Sequence, residues 1–263
     1  MIDPFIGGQL KIDRARKHID EIAVDVAKYV ALPPYHWETV PAGTTDWTKV
    51  IIRLDRPIPD ELSVVVGDAV HNMRSALDNM VSALARHNGV TSNSKLNKVY
   101  FPTGQTKHEF EQACDGLRPF VGAFATQALK TLEVFDGGSG DLLKILGTLS
   151  NRDKHRLLIP TIPAMKGGLL FGLTNKIIAE GKPAKVEVKV GPIAAGKAPV
   201  EDGDELLSYP DTNHPGAPIQ FKPELTVSLD FLRLPVGEDV STTLTRMRTA
   251  ALDALATVRS TIP

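Results

Sequence analysis

Side chains that could do chemistry are concentrated in one stretch of the chain, residues 60 to 86. At about 100° per residue, its apolar residues fall on one side of a helix and its polar residues within an arc roughly 120° wide on the other. Asp, Asn, Ser and His are poorer helix formers than the Lys and Glu of an ordinary solvent face, so another reason must place them there. That reason is either a functional site or contacts with neighbouring loops and ion pairs. The arc holds Asp68, His71, Asn72, Ser75, Asp78 and Asn79, with Arg74 at its flank.

The spacing of these residues suggests proton transfer beside a fixed positive charge. His71 lies three residues after Asp68 and three before Arg74, so a carboxylate can orient its imidazole next to a guanidinium. Asp78 lies four residues after Arg74 and can pair with it, an arrangement that describes a structural salt bridge equally well. The candidate catalytic residues are therefore His71 and Arg74, and the candidate binding residues are Asp68, Asn72 and Asp78.

A second polar cluster runs from Asn151 to Arg156, where the apolar pattern of another helix ends. Cations at the C-terminus of a helix are favoured by its dipole, which gives this cluster a purely structural explanation. The functional explanation is an anion-binding corner that would face His71 and Arg74 across a cleft between two helices. Its candidate catalytic residue is His155, and its candidate binding residues are Asn151, Asp153 and Lys154.

The two clusters also carry a resemblance to known proteins. The motifs are Gly67-Asp68-Ala-Val-His71-Asn72-Met-Arg74-Ser75-Ala-Leu77-Asp78, then Phe101-Pro102, then Leu149-Ser-Asn151-Arg-Asp153-Lys154-His155-Arg156. They resemble a widespread, functionally uncharacterised bacterial family over roughly residues 10 to 160. In that family a histidine often follows the aspartate that matches Asp78. An arginine followed by four residues and a histidine also resembles the RNA-cleaving signature of HEPN domains, but this chain has Asn79 at the histidine position.

An α+β fold is predicted to position these clusters. Apolar residues at three- and four-residue steps predict a first helix from Gly8 to about Leu32. Two aromatic and β-branched runs, Tyr35 to Val40 and Trp47 to Leu54, predict an N-terminal β-hairpin. Thr106 and Glu109 form a capping-box pattern that opens a short helix, and a less regular helical stretch runs from Pro119 to Val134. Asp141 opens the helix that leads to the second cluster.

The composition of the chain changes after Arg156, where glycine and proline become frequent. Short β-branched or alternating runs predict a small antiparallel sheet in this C-terminal half, at Leu169 to Leu173, Lys185 to Val190 and Leu225 to Phe231. Gly191 to Gly216 is expected to be a long loop, and a final helix is predicted from Glu238 to near Ile262. The sequence thus predicts about five bundled helices with the hairpin in residues 1–156, and a β region closed by a helix in residues 157–263, packed as one unit.

Composition excludes several classes of protein. With 42% apolar and 23% charged residues among 263, the chain can bury an ordinary globular core. Lys and Arg total 30 against 31 Asp and Glu, so no global field steers it toward nucleic acid or anionic lipid. The single cysteine, Cys114, excludes an internal disulfide and a Cys-rich zinc site. Uncharged apolar runs fall short of the ~20 residues that span a bilayer, and no secretion signal is visible, so we expect a cytoplasmic protein without a membrane partner.

Three functions fit these residues. The first, which we favour, is a module that binds an anion or another ligand in a polar cleft between two helices. The second is a HEPN-like, metal-independent ribonuclease or RNA-binding protein, in which Arg74 stabilises phosphate and His71 or His155 moves protons. The third is a metal-dependent hydrolase of the helical-bundle kind, because imidazole and carboxylate suit zinc, manganese or iron. Its ligands would be Asp68, His71, Asp78, Asp153 and His155.

The expected partners follow from these functions. They are a small anionic ligand or RNA, and the residues do not identify a cofactor. An alanine-rich stripe on the final helix permits close approach, so that helix either packs on the first helix or forms a homodimer contact.

Overall fold

The computed structural model describes residues 3–32, 34–43, 46–153, 160–161, 178–179, 182–183, 189–192, 200–210, 227–229, 234 and 238–261. Over these ranges the chain forms seven α-helices and eight strands, which confirms the predicted α+β fold. The helices are α1 (Ile6–Ala31), α2 (Asp60–His87), α3 (Asn93–Leu96), α4 (Lys107–Val121), α5 (Ala123–Thr131), α6 (Asp141–Asp153) and α7 (Val240–Arg259). The strands are β1 (Tyr35–Pro41), β2 (Trp47–Leu54), β3 (Pro160–Thr161), β4 (Ile178–Ala179), β5 (Lys182–Pro183), β6 (Lys189–Val190), β7 (Glu205–Pro210) and β8 (Ser228–Leu229).

The predicted hairpin forms as β1 and β2, which pair antiparallel from Tyr35 opposite Leu54 to Pro41 opposite Thr48. The hairpin is part of a larger sheet, because β7 pairs with β2 and β6 pairs with β7, giving the order β1-β2-β7-β6. The other described strands form two-residue pairs, β3 with β8 and β4 with β5. The N-terminal hairpin and the C-terminal strands β6 and β7 are therefore combined in one sheet.

Strand β7 corrects the predicted loop from Gly191 to Gly216. It lies between β2 and β6, and its four central residues, Leu206 to Tyr209, are all buried. A strand that is covered on both faces lacks the alternation of apolar and polar residues by which a half-buried strand is recognised. Val50 and Ile52 of β2 pack with Leu206, Leu207 and Tyr209 in the core of this sheet.

The middle of the chain divides into two helices at a glycine. Helix α4 has the predicted capping box, in which the Thr106 side chain accepts from Glu109 N and the Glu109 carboxylate accepts from Thr106 N. The helix continues through Pro119 and ends at Gly122, whose φ of 83° suits a residue without a side chain. The stretch predicted from Pro119 to Val134 is thus the end of α4 followed by α5.

Two compact units are present, and each combines distant parts of the chain. The first comprises Met1–Ile22, Glu61–Leu158 and Ser241–Pro263, and the second comprises Ala23–Asp60 and Ile159–Val240. The predicted division at residues 156 and 157 follows the chain, whereas these units follow the packing. Strand pairing joins the hairpin to the C-terminal strands, and α7 joins the N-terminal helices.

The packing of α7 is visible at Gly8 of α1. A Cβ added there would lie 3.2 Å from the carbonyl oxygen of Ala76 in α2 and 3.3 Å from Leu255 Cδ2 in α7. Three helices thus meet at this glycine, and α7 packs on the first helix as one of the two predicted arrangements requires. Among the described residues, no helix is long and apolar enough to cross a membrane.

Candidate functional site

Helix α2 presents the predicted polar face beside a fully buried apolar face. Its buried residues include Val66, Val70 and Met73, each with no solvent exposure. On the polar face Asp68, His71 and Asn79 are exposed, whereas Asn72, Arg74, Ser75 and Asp78 are partly buried. The helical periodicity of the sequence therefore placed this face correctly, and the partly buried members identify where neighbouring elements cover it.

Arg74 and Asp78 form the ion pair that their spacing predicts. Arg74 Nε donates to Asp78 Oδ2 at 3.3 Å, and Arg74 Nη2 donates to Asp78 Oδ1 at 3.0 Å. Their side chains are 17% and 28% exposed. A two-point contact between partly buried side chains is more rigid than an exposed pair, so it can position a third group.

That third group is the backbone of Phe101. Asp78 Oδ1 accepts from Phe101 N at 2.9 Å, and Arg74 Nη2 donates to Phe101 O at 3.0 Å. The Arg74 Cζ atom also lies 5.6 Å from the centre of the Phe101 ring, at cation–π distance. Phe101 is only 2% exposed, so the ion pair satisfies both backbone polar groups of a buried residue.

Helix α6 closes the other side of the guanidinium. A Cβ added to Gly147 would lie 3.3 Å from Arg74 Nη1, so the glycine lets α6 approach this nitrogen closely. Arg74 is thus held by Asp78, Phe101 and the backbone of α6. Of the two explanations left open by the sequence, these contacts favour the structural one for Arg74 and Asp78, and they also explain the Phe101-Pro102 motif.

The second charged side chain in this region comes from α6. Burial raises the pKa of Asp153 above its ordinary value of 3.8, the nearby Asp68 carboxylate raises it further, and His71 acts in the opposite direction. Asp153 from the second predicted cluster therefore lies within electrostatic range of Asp68 and His71 from the first. The predicted contact between the two clusters stays a prediction.

Gly67 is the residue that sequence reasoning missed. A Cβ added to Gly67 would lie 2.4 Å from Asp153 Oδ1 and 2.8 Å from both Cγ and Oδ2, so the carboxyl group lies across this glycine. A glycine inside a helix costs roughly 0.5–1 kcal/mol relative to alanine. This cost was the available signal, since an interior glycine in an otherwise strong helix needs a reason, and its partner lies on another helix.

Two shorter contacts complete the polar face of α2. His71 Nε2 lies 3.3 Å from Ser75 Oγ, at hydrogen-bond distance, and Asn72 Nδ2 donates to the Asp68 carbonyl oxygen at 2.8 Å. Asn72, a predicted binding residue, thus bonds to the backbone of its own helix. Ser75 belongs to the predicted polar arc but not to the predicted site residues, although its four-residue step from His71 indicates this contact.

The rest of the second cluster is placed only in part. Asn151 and Arg152 are exposed in the last turn of α6. Lys154, the predicted catalytic His155 and Arg156 lie outside the described residues. The predicted contact of His155 and Lys154 with His71 and Arg74 therefore lies outside the described residues and stays a prediction.

A metal centre has no complete ligand set in the part of the chain that the structure describes. No group of three or more His, Cys, Asp or Glu side chains there is arranged to hold a metal ion. Asp78, one of the predicted ligands, accepts hydrogen bonds from Arg74 and Phe101 instead. The metal hypothesis would need His155, which lies outside the described residues.

Cys114 has the surroundings of a structural cysteine. It is fully buried in α4, and burial raises the pKa of its thiol to about 12. The reactive thiolate is therefore scarce near neutral pH, in agreement with the absence of a nucleophile pattern around it in the sequence.

The chain matches no family model, no curated protein and no solved structure. The resemblance to the bacterial family and to HEPN domains therefore stays a prediction, and the geometry of the site carries the functional argument.

Proposed function

We propose that the protein binds a small ligand at the α2–α6 polar site, defined here as Asp68, His71, Ser75 and Asp153, and that a positively charged or hydrogen-bond-donating group of the ligand lies against the two carboxylates. The observation that carries this proposal is the placement of Asp153. Its carboxyl group is partly buried and lies across Gly67. Burial raises its pKa, and the charge of the Asp68 carboxylate raises the pKa further. Such placement opposes ionisation, and groups placed in this way recur at binding and catalytic sites.

The charges around the site favour a cationic ligand. Asp68 and Asp153 contribute two carboxylates, and His71 and Ser75 contribute groups that can donate or accept hydrogen bonds. The guanidinium of Arg74 is matched by Asp78 and turned toward Phe101. The small anionic ligand predicted from the sequence would depend on the segment that begins at Lys154, outside the described residues, and it forms the alternative outcome of the test below.

RNA cleavage or RNA binding is less well supported by the same contacts. A phosphate at Arg74 would have to replace the hydrogen bonds from its guanidinium to Asp78 and to the Phe101 carbonyl. Asn79 stands where the HEPN signature has histidine, and the net charge of the chain is −1. A site with two carboxylates also repels a phosphate backbone.

The test is a binding titration with small ions of both charges. Agmatine, ethanolamine and spermidine serve as cationic probes, and phosphate and sulfate serve as anionic probes, with binding followed through backbone amide chemical shifts. We expect the cationic probes to shift the amides around residues 67–75 and 147–153. The variants Asp68→Asn and Asp153→Asn should weaken this binding by about fivefold or more, the loss expected for one ion pair of about 1 kcal/mol.

The matched control for the titration is Asp253→Asn. Asp253 is exposed on α7, and its substitution changes the net charge of the protein by the same amount. It should leave binding unchanged. Binding of phosphate or sulfate in preference to the amines, or equal loss of binding in all three variants, would overturn the proposal.

A further inference from the structure

We propose that Gly67 is the positioning residue of the α2–α6 polar site, because the absence of a side chain there determines where the Asp153 carboxylate lies relative to Asp68 and His71. The consequence for ligand binding rests on the proposed function. The position of the carboxylate itself does not, so the two can be tested separately.

The geometry at Gly67 leaves no room for a side chain. All three carboxyl atoms of Asp153 lie within 2.8 Å of the position that a Cβ would take, and Oδ1 lies at 2.4 Å. Such contacts are shorter than the 3.0 Å below which real Cβ atoms are essentially never found. Because three atoms of one group are involved, rotation of a single oxygen does not relieve the overlap. Alanine at position 67 therefore requires the Asp153 carboxylate to move as a whole, a shift that costs little because the group is the end of a flexible side chain.

A second glycine makes the same kind of close contact between α2 and α6. The Arg74 guanidinium of α2 packs against Gly147 of α6, and the Asp153 carboxylate of α6 packs against Gly67 of α2. The two contacts are separated by seven residues along α2 and six along α6, in opposite chain directions. Each helix thus supplies one glycine and one charged side chain, and the pair of contacts fixes the register of the two antiparallel helices. Asp153 therefore cannot be repositioned by sliding α6 without also disturbing Arg74.

The ligand-binding consequence follows from this fixed register. The distance from Asp153 to Asp68 and His71 depends on how closely α6 approaches α2 at position 67. A methyl group there displaces the carboxylate while every polar side chain of the site is kept. Gly67 then acts on ligand binding through Asp153 and touches no ligand itself.

A double-mutant cycle tests the position of the carboxylate. The variants are Gly67→Ala, Asp153→Ala and their combination, with Gly116→Ala as the control, since Gly116 lies in α4 and has no atoms within 4 Å of an added Cβ. We expect Gly116→Ala to leave the midpoint of urea unfolding unchanged or higher. Gly67→Ala should raise the midpoint in the Asp153→Ala background, because alanine favours the helix, and should raise it less or lower it with Asp153 present. If Gly67→Ala alone does not fold, recovery of folding in the double variant gives the same result.

A spectroscopic readout separates positioning from mere packing. The carboxyl carbon of Asp153, followed by NMR against pH, should titrate closer to the ordinary value of an aspartate in Gly67→Ala than in the unmodified protein. The inference is overturned if Gly67→Ala has the same effect on unfolding with and without Asp153, or if the titration of Asp153 is unchanged.

Agmatine binding separates this inference from the proposed function. Gly67→Ala should weaken agmatine binding by about fivefold or more, as Asp153→Asn does. Agmatine binding that persists unchanged in Gly67→Ala overturns the inference and leaves the proposed function in place. Failure of the unmodified protein to bind any cationic probe, together with the expected cycle and titration, overturns the proposed function and leaves the positioning of Asp153 in place.

Discussion

The two ends of the α2–α6 contact use the same device with opposite electrostatic results. At one end Arg74 packs against Gly147 of α6. Its charge is paired with Asp78, and its guanidinium donates to the backbone carbonyl of Phe101. At the other end Asp153 packs against a glycine of α2, and burial and the charge of Asp68 both oppose its ionisation. At the first end the charge of Arg74 is paired with that of Asp78, and its guanidinium Nε and Nη2 have acceptors. The second end places like charges together, at a cost to the ionised form.

This difference separates a charge that stabilises the fold from one that would bind a ligand under the proposed function. A matched, partly buried charge that also satisfies a buried backbone stabilises the fold, so removal of one partner leaves the others unsatisfied. A carboxylate held beside another carboxylate contributes little to the fold and is available to an added cation. Both residues belong to the motifs that the sequence singled out, and their surroundings give them different roles.

The largest effect is expected from Asp78→Ala. The substitution leaves Arg74 without its counter-charge and Phe101 N without its acceptor, so the free energy of unfolding should fall by about 2–3 kcal/mol. Urea unfolding followed by circular dichroism measures the change. The control is Glu111→Ala, which removes an exposed pair with Lys107 at 4.0 Å and should cost less than about 0.5 kcal/mol. If Asp78→Ala lowers the free energy of unfolding by less than about 1 kcal/mol, the contacts of Arg74 do not stabilise the fold as proposed.

A smaller effect of opposite sign is expected from Asp153→Asn. The amide keeps the shape of the side chain and removes the charge that Asp68 and burial oppose, so the free energy of unfolding at pH 7 should stay the same or rise by up to about 1 kcal/mol. The same urea experiment measures it, with the cationic probes absent. If the variant is destabilised as strongly as Asp78→Ala, Asp153 stabilises the fold as Asp78 does, and the proposed difference between the two ends of the contact is wrong.

The smallest effect is a pH dependence that belongs to Asp153. Its pKa is raised in the folded protein, so the folded state holds this proton more tightly than the unfolded chain does. The contribution of Asp153 to stability is therefore present in full below its ordinary value of 3.8 and is lost as the pH rises through the raised pKa. Urea unfolding across this interval should show the stability of the unmodified protein falling relative to Asp153→Asn. A relative rise with pH would indicate a carboxylate with a lowered pKa, and thus a matched charge.

Local sequence patterns were sufficient to predict much of the fold. Helix α2 was predicted because its apolar residues repeat about every 3.6 positions, and hairpin β1–β2 because two short runs are rich in aromatic and β-branched residues. Strand β7 was missed because its burial on both faces depends on pairing with β2, about 150 residues earlier in the chain. A pairing over that distance has no signal in a local pattern.

The candidate site shows the same limit at the level of single residues. The polar arc with Asp68 and His71 follows from helical geometry alone. Arg74 bonds to the backbone of Phe101, and Gly67 packs against the Asp153 carboxylate. Both contacts depend on which elements lie against α2. Both residues belong to the predicted motifs, but a motif does not show which side chain of another helix lies against them.

The most direct measurement of the central claim is the titration of the Asp153 carboxyl carbon by NMR with and without agmatine. A cation that binds against this carboxylate stabilises its ionised form, so the pKa of Asp153 should fall when agmatine is added. The variant Asp68→Asn, which weakens the binding, should reduce this fall. An Asp153 titration that is the same with and without agmatine would contradict the account.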